Sequence, residues 1–124
     1  VSLQHLDVQL LMWDMRRSLD PKPLPPKRCT IQFQYPELAE NRRNWWLVID
    51  QGEVDLCGFD PGFEVDLYVR GELRAMTAIW MGLDNVRAAV RDERVMLTGD
   101  RKLAADMQTW LGLSPFAKEK KLVA

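Results

Sequence analysis

Apolar positions at Val8, Leu11, Met12, Met15 and Leu19 recur in steps of three and four. This spacing predicts an amphipathic helix from about Leu6 to Leu19, with Asp14, Arg16 and Arg17 mainly on its polar side. Asp20 to Pro26 (DPKPLPP) stops it, because proline removes a donor and disfavours helix in the residue before it. The period then changes to two. In CTIQFQYP, Ile31, Phe33 and Tyr35 point one way and Thr30, Gln32 and Gln34 the other, as in a half-buried strand. ELAENRRN is a polar loop with room for a short helical turn.

NWWLVID and EVDLC are separated by Gln51-Gly52, and GFDPGF leads from EVDLC into FEVDLYV. A two-residue turn at Gln51-Gly52 sets Leu47 opposite Leu56 and Ile49 opposite Val54. Read as a second hairpin, the turn about Pro61-Gly62 pairs Leu56 with Leu67 and Val54 with Val69. Directly paired residues share a face. Trp45, Leu47, Ile49, Val54, Leu56, Phe63, Val65, Leu67 and Val69 then lie on one side. Trp46, Val48, Asp50, Glu53, Asp55, Cys57, Phe59, Glu64, Asp66, Tyr68 and Arg70 lie on the other, with Asp55 opposite Tyr68. An odd loop would oppose Asp55 to Leu67 and mix the faces, so the pattern selects an even one. Four residues suit it better than two, since Pro-Gly favours a type II turn.

After Val69, Leu73, Met76, Ile79 and Trp80 are spaced as a helix that ends near Gly82. Asp84 can cap a second helix carrying Val86, Ala89 and Val90. RVMLTG is a short strand with Val95 and Leu97 on one face. Asp100 can cap a last helix striped by Leu103, Met107, Trp110 and Leu111, which GLSPF ends. The expected fold is α+β: a five-stranded, mainly antiparallel sheet with helices packed on one face, in the order helix-β-β-β-β-helix-helix-β-helix. One domain is expected over residues 1–124. Residues 1–26 form the N-terminal helix and Pro-rich connection, 27–113 the sheet and helices, and 114–124 a tail.

Charge and composition remove several function classes. Lys and Arg total 17 against 18 Asp and Glu, a net charge of −1. Direct nucleic-acid binding by this chain is not expected, because phosphate contacts need a concentrated excess of cations. No apolar run reaches the roughly 18 residues of a membrane span. Cys29 and Cys57 fit no zinc spacing and suit a reducing, cytoplasmic compartment. The only histidine is His5, so a Ser-His-Asp arrangement has little support. Phosphate-loop and dinucleotide fingerprints are absent.

Glu53-Val54-Asp55-Leu56 returns as Glu64-Val65-Asp66-Leu67. Its carboxylates admit a metal site or an acid/base pair, but a pleated face aims them outward in parallel and cannot wrap a cation. The wet side of a sheet is the better account, and no catalytic residue, metal ligand or cofactor is assigned. Apolar capacity is plentiful by contrast, with five Trp and six Met. Phe33, Trp45, Leu47, Leu56, Phe63, Val65, Leu67, Met76, Ile79, Trp80, Met107 and Trp110 are expected to face the helix layer. They either fill a core or line a pocket for an apolar ligand.

From Trp45 to Leu113 the chain resembles the sterol-carrier-protein type of lipid-binding domain. The residues that carry the resemblance are VDLYVRGELRAMTAIWMG, in which a strand runs into a helix, and RVMLTGDRKLAADMQTWLGL, with its Gly99-Asp100 junction before the closing helix. LLMWDMRRSLDPKPLP, RNWWLVIDQGEVDLC and WLGLSPFA are similar to C-terminal domains of winged-helix bacterial transcriptional regulators of the HxlR type. The sequence from Val1 leaves no room for a winged helix, so the expectation is either a DNA-binding half lost or cut away or a domain that works alone. The ending Leu-Val-Ala does not match a peroxisomal address. The resemblance implies non-catalytic binding of an apolar small molecule or lipid, as a carrier or as a regulator's sensory domain, with those twelve residues as the cavity wall. The alternative is a filled structural or dimerisation module, a homodimer among its forms.

Overall fold

The computed structural model describes residues 7–112. His5, Leu6, Leu113 and the tail expected over 114–124 lie outside them. The first helix, α1, spans Val8–Ser18, and Asp7 caps it by accepting from the Gln9 N–H at 2.9 Å. It buries Val8, Leu11, Met12 and Met15, the stripe that the spacing requires. Leu24, in the middle of the proline segment, is also buried.

Five strands follow: β1 (Cys29–Gln34), β2 (Asn44–Asp50), β3 (Glu53–Cys57), β4 (Leu67–Gly71) and β5 (Val95–Gly99). A single 3-10 turn, Glu40–Arg42, interrupts the loop before β2. Four α-helices complete the order: α2 (Leu73–Trp80) and α3 (Val86–Arg91) before β5, then α4 (Arg101–Ala105) and α5 (Met107–Leu111). All five strands form one sheet in the order β3-β2-β1-β4-β5. The helices cover one face of it, an α+β arrangement.

The β2–β3 hairpin has the expected register, with Leu47 opposite Leu56 and Ile49 opposite Val54. Gln51 and Gly52 take φ of 52° and 82°, the left-handed pair of a type I′ turn whose twist matches the strands.

The second hairpin does not form. Instead of lying beside β3, β4 runs parallel to β1, with Leu67 opposite Ile31 and Val69 opposite Phe33. Its other neighbour is β5, where Leu67 faces Gly99 and Val69 faces Leu97. The expected pairs Leu56–Leu67, Val54–Val69 and Asp55–Tyr68 are therefore absent. Asp55 lies opposite Val48, and Tyr68 lies between Gln32 and Thr98. Residues 58–66 are a crossover, and Asp60-Pro61-Gly62 is a turn within it, where the Gly62 N–H donates to Asp60 at 2.8 Å. Charge explains the choice of neighbour. β1 is uncharged on both faces and can be enclosed, whereas β3 carries exposed Glu53 and Asp55, which suit a solvated edge.

Face assignments survive the wrong partner because parity is the same for either neighbour. Leu47, Ile49, Leu67 and Val69 are buried together with Ile31 and Phe33, and Trp45, Val54 and Leu56 pack against them. Phe63 and Val65 are exceptions, since β4 begins only at Leu67.

The two aspartates of the repeated tetrapeptide are not equivalent. Asp55 is an exposed rung of the edge strand. Asp66 accepts from the Thr30 backbone N–H at 2.8 Å, and its own N–H donates to the Thr30 carbonyl at 2.8 Å. It therefore pins the start of β4 to β1. Thr30 is 1% exposed, so its N–H has no access to water. Asp66→Ala is expected to cost about 1–3 kcal/mol in urea unfolding, the penalty of an orphaned buried donor, while Asp55→Ala should be close to neutral.

Two further details differ from expectation. Asn85, not Asp84, caps α3, accepting from the Ala88 N–H at 2.8 Å. Asp84 instead accepts from the Asn85 N–H and pairs with Arg94. The last helix is two, α4 and α5, divided at Asp106 (φ −93°, ψ 5°). The departure from helical geometry is small, so Leu103, Met107, Trp110 and Leu111 still face the core.

Candidate functional site

The twelve side chains expected to wall a cavity divide into three groups. Phe33, Leu47, Leu67, Met76, Ile79, Met107 and Trp110 are at most 1% exposed and belong to one cluster with α1's Met12 and Met15. A water-sized sphere reaches almost none of their surface, so in this conformation they enclose no free space large enough for a ligand. Trp45, Leu56 and Trp80 are half-buried against the same cluster. Trp80 carries the one buried side-chain donor without a hydrogen-bond partner among the described residues, its indole Nε1–H. Phe63 lies elsewhere, with the Arg28 guanidinium 3.8 Å from its ring centre, and Val65 is half-buried in the crossover.

The apolar layer opens at its far end. Between α3 and α4, above the edge strand β5, Val86, Arg87, Val90, Leu97, Ala104, Ala105 and Gln108 line a groove of about 500 Å³. Its floor is continuous with the core, because Leu97 stands beside Val69 on the helix-facing side of the sheet. Val90 is 39% exposed. Gln108 joins the two walls by accepting from the Val86 N–H at 2.8 Å through Oε1, and Arg87 is an exposed cation at the rim. None of these seven was singled out as a ligand contact from the sequence. The available signal was Ala104-Ala105, two small side chains next to a bulky stripe, which leave the space that Leu or Met would fill.

Two other depressions are smaller. One, of about 350 Å³, lies among Pro21, Lys22, Leu24, Pro25, Pro26, Lys27, Ile49, Gln51 and Gly52. The other, of about 360 Å³, mixes Lys27 and Arg28 with Glu64 and Asp66. Among the described residues no group of three or more His, Cys, Asp or Glu side chains could hold a metal ion. No helix among them is long and apolar enough to cross a membrane.

Burial also governs the titratable core. Burial, then the carboxylates of Asp66 and Asp100, push the Cys29 thiol up to about 12. Burial and then Glu37 raise Tyr35 above its usual range, and its hydroxyl donates to Met12 Sδ at 3.0 Å. Both groups hold their protons more tightly in the folded state. Their contribution is complete below an unfolded thiol value of about 9 and is lost as pH rises beyond it. Urea melts at increasing alkaline pH should show stability falling by up to roughly 1.4 kcal/mol per pH unit for each group. Cys29→Ala should remove the earlier part of that slope.

This arrangement defines the class of fold: the chain has the sterol-carrier-protein type of α+β domain. Solved structures share it at low sequence identity. The stereoselective inverting sec-alkylsulfatase Pisa1 from Pseudomonas sp. superposes with a TM-score of 0.65 at 18% identity, over 90% of this chain and 17% of that one. This chain thus spans about a sixth of the sulfatase. A ubiquinone synthesis protein, UbiJ-SCP2, matches with a TM-score of 0.59 at 16% identity over 83% of this chain and 87% of its own. Palmitated sterol carrier protein SCP2L2 from Aedes aegypti gives 0.54 at 20% identity, over 86% of this chain and 95% of its own. No family model and no curated protein sequence matches the chain.

Proposed function

We propose that this chain binds an apolar small molecule or lipid without transforming it, and that the α3–β5–α4 groove is where the ligand enters the layer between sheet and helices. The observation that carries this reading is the groove itself, where, among the described residues, side chains continuous with the core meet solvent with about 500 Å³ of space. Each methylene buried there contributes about 0.8 kcal/mol. Arg87 and Gln108 can hold a polar head at the rim, the guanidinium favouring a carboxylate. The palmitated carrier of the same fold supports a ligand with a hydrocarbon chain. The deeper residues Phe33, Leu67, Met76, Ile79, Met107 and Trp110 join the site only if the helices move apart as the chain enters. On this reading the domain works in the cytoplasm as a carrier, or as the sensory half of a bacterial regulator of the HxlR type.

The closed core favours a second reading, a structural or dimerisation module without ligand. Tryptophan fluorescence of delipidated protein during fatty-acid titration separates the two. Binding should be saturable in the wild type. In Ala105→Trp, which plugs the groove from an exposed position, the affinity should fall by roughly tenfold or more, the equivalent of losing about two buried methylenes. Arg87→Gln should weaken fatty acids more than the matching alcohols. No response to any lipid class would leave only the structural module.

A further inference from the structure

Among the described residues the sheet has two edges, and they differ in chemistry. β3 carries Glu53 and Asp55, both exposed. Pairing β3 with itself about Val54 would oppose Glu53 to the partner's Asp55, and about Asp55 would oppose that residue to its own copy. Such like-charge pairs protect an edge. β5, Val-Met-Leu-Thr-Gly, carries no charge at all. Met96 is 62% exposed, Thr98 and Gly99 are exposed, and Leu97 adjoins the open apolar groove. An uncharged edge with apolar surface beside it is a template for another strand.

We propose that β5 pairs antiparallel with β5 of a second copy about a two-fold axis at Leu97, joining the two sheets into one of ten strands. The flanking charges select the occupant and the register. Rotation about Leu97 sets Arg94 opposite the partner's Asp100 and Met96 opposite the partner's Thr98, and it repeats both pairs by symmetry. It also brings Glu93 to the same end as the partner's Arg101. Arg94 is available for this, its side chain being 40% exposed while it also contacts Asp84 and Asp92. Asp100 uses Oδ1 to accept from the Leu103 N–H, which leaves Oδ2 to accept from a guanidinium. A two-fold normal to the sheet keeps each residue on its own face, so Leu97 and Val90 of the two copies approach across the axis and each groove meets its counterpart. The pairing does not depend on whether the groove takes a ligand.

Sedimentation equilibrium over a concentration series tests this, with circular dichroism to confirm folding. The wild type should be a dimer that dissociates on dilution. Met96→Lys combined with Thr98→Lys changes two exposed side chains and puts like charges opposite each other twice. It should weaken the dimer by roughly tenfold or more, as should Met96→Glu combined with Thr98→Glu. Met96→Lys combined with Thr98→Glu places opposite charges across the same positions and should remain dimeric. A wild type that is monomeric at every concentration, a dimer unmoved by the like-charge variants, or equal weakening by all three variants would overturn the proposal.

Discussion

Trp110→Ala is expected to destabilise the domain by about 3–5 kcal/mol, the range for removing a large aromatic side chain from a packed core. Trp110 heads the largest fully buried side chains at 0% exposure. Its Nε1–H donates to the Leu103 carbonyl at 2.9 Å, bridging α4 to α5 across the break at Asp106. Alanine would leave a cavity and an unsatisfied carbonyl together. Phenylalanine keeps most of the volume and loses the donor, so Trp110→Phe should cost about 1–3 kcal/mol. Urea unfolding measures both. The comparison bears on function as well, because a residue lining an existing cavity would tolerate truncation and change ligand affinity instead. A cost near zero with altered binding would place an open pocket where the structure has core.

The second large effect lies at Gly99. Its φ of +130° is one that side chains rarely adopt, and a Cβ there would sit 2.4 Å from the Asp66 carbonyl oxygen and 3.1 Å from Leu67 Cα. The obstacle is backbone, so no rotamer change relieves it. Asp66 is held in turn by Thr30, and its carbonyl accepts from the Asp100 N–H at 2.8 Å. Gly99→Ala therefore forces apart the junction of β1, β4 and β5 and should cost about 3 kcal/mol or more, combining backbone strain with the clash. Because β5 floors the groove, fatty-acid binding should fall in parallel. Gly52→Ala, with a positive φ of 82° but nothing within 4 Å of the added Cβ, should be milder, near 1 kcal/mol. Thermal or urea melts of the two variants side by side check the difference.

The residues that speak to the fold did so through periodicity. Steps of three and four give the buried stripe of α1, and alternation gives the faces of β1 and β4. Strand β2 takes its faces from the hairpin register, and it buries Trp46 and Val48 on the side read as polar as well as Leu47 and Ile49 on the other. The Gly99-Asp100 junction was legible as a strand meeting a capped helix, and Asp100 does accept from the Leu103 N–H. Topology was less legible. Chain neighbours suggested a β3–β4 hairpin, and nothing in EVDL itself distinguishes a strand beside β3 from one beside β1, since parity is identical in both. The Pro-Gly turn was the dissenting signal, being a poor fit to a tight hairpin and an ordinary turn within a crossover. The repeated carboxylates, read together as one wet face, have separate roles: Asp55 marks the edge, and Asp66 closes the sheet.

For the site, the sequence located the apolar layer but not its opening. Bulky residues attract attention in a search for ligand contacts, and those are the side chains that pack most completely. The groove is formed where side chains are small, at Ala104 and Ala105, and where a short helix, α3, leaves Val90 uncovered. A pattern of apolar positions reports which residues leave water, and it does not report how much volume remains between them.

The most direct measurement is the amide NMR spectrum of delipidated protein titrated with a long-chain fatty acid below its micelle concentration. Saturable shifts concentrated at Val86, Val90, Leu97, Ala104, Ala105 and Gln108 are the predicted result, spreading to Met107 and Trp110 if the helices part. An unchanged spectrum, or shifts confined to the opposite face around Trp46, Tyr68 and Met96, would contradict a ligand site between sheet and helices.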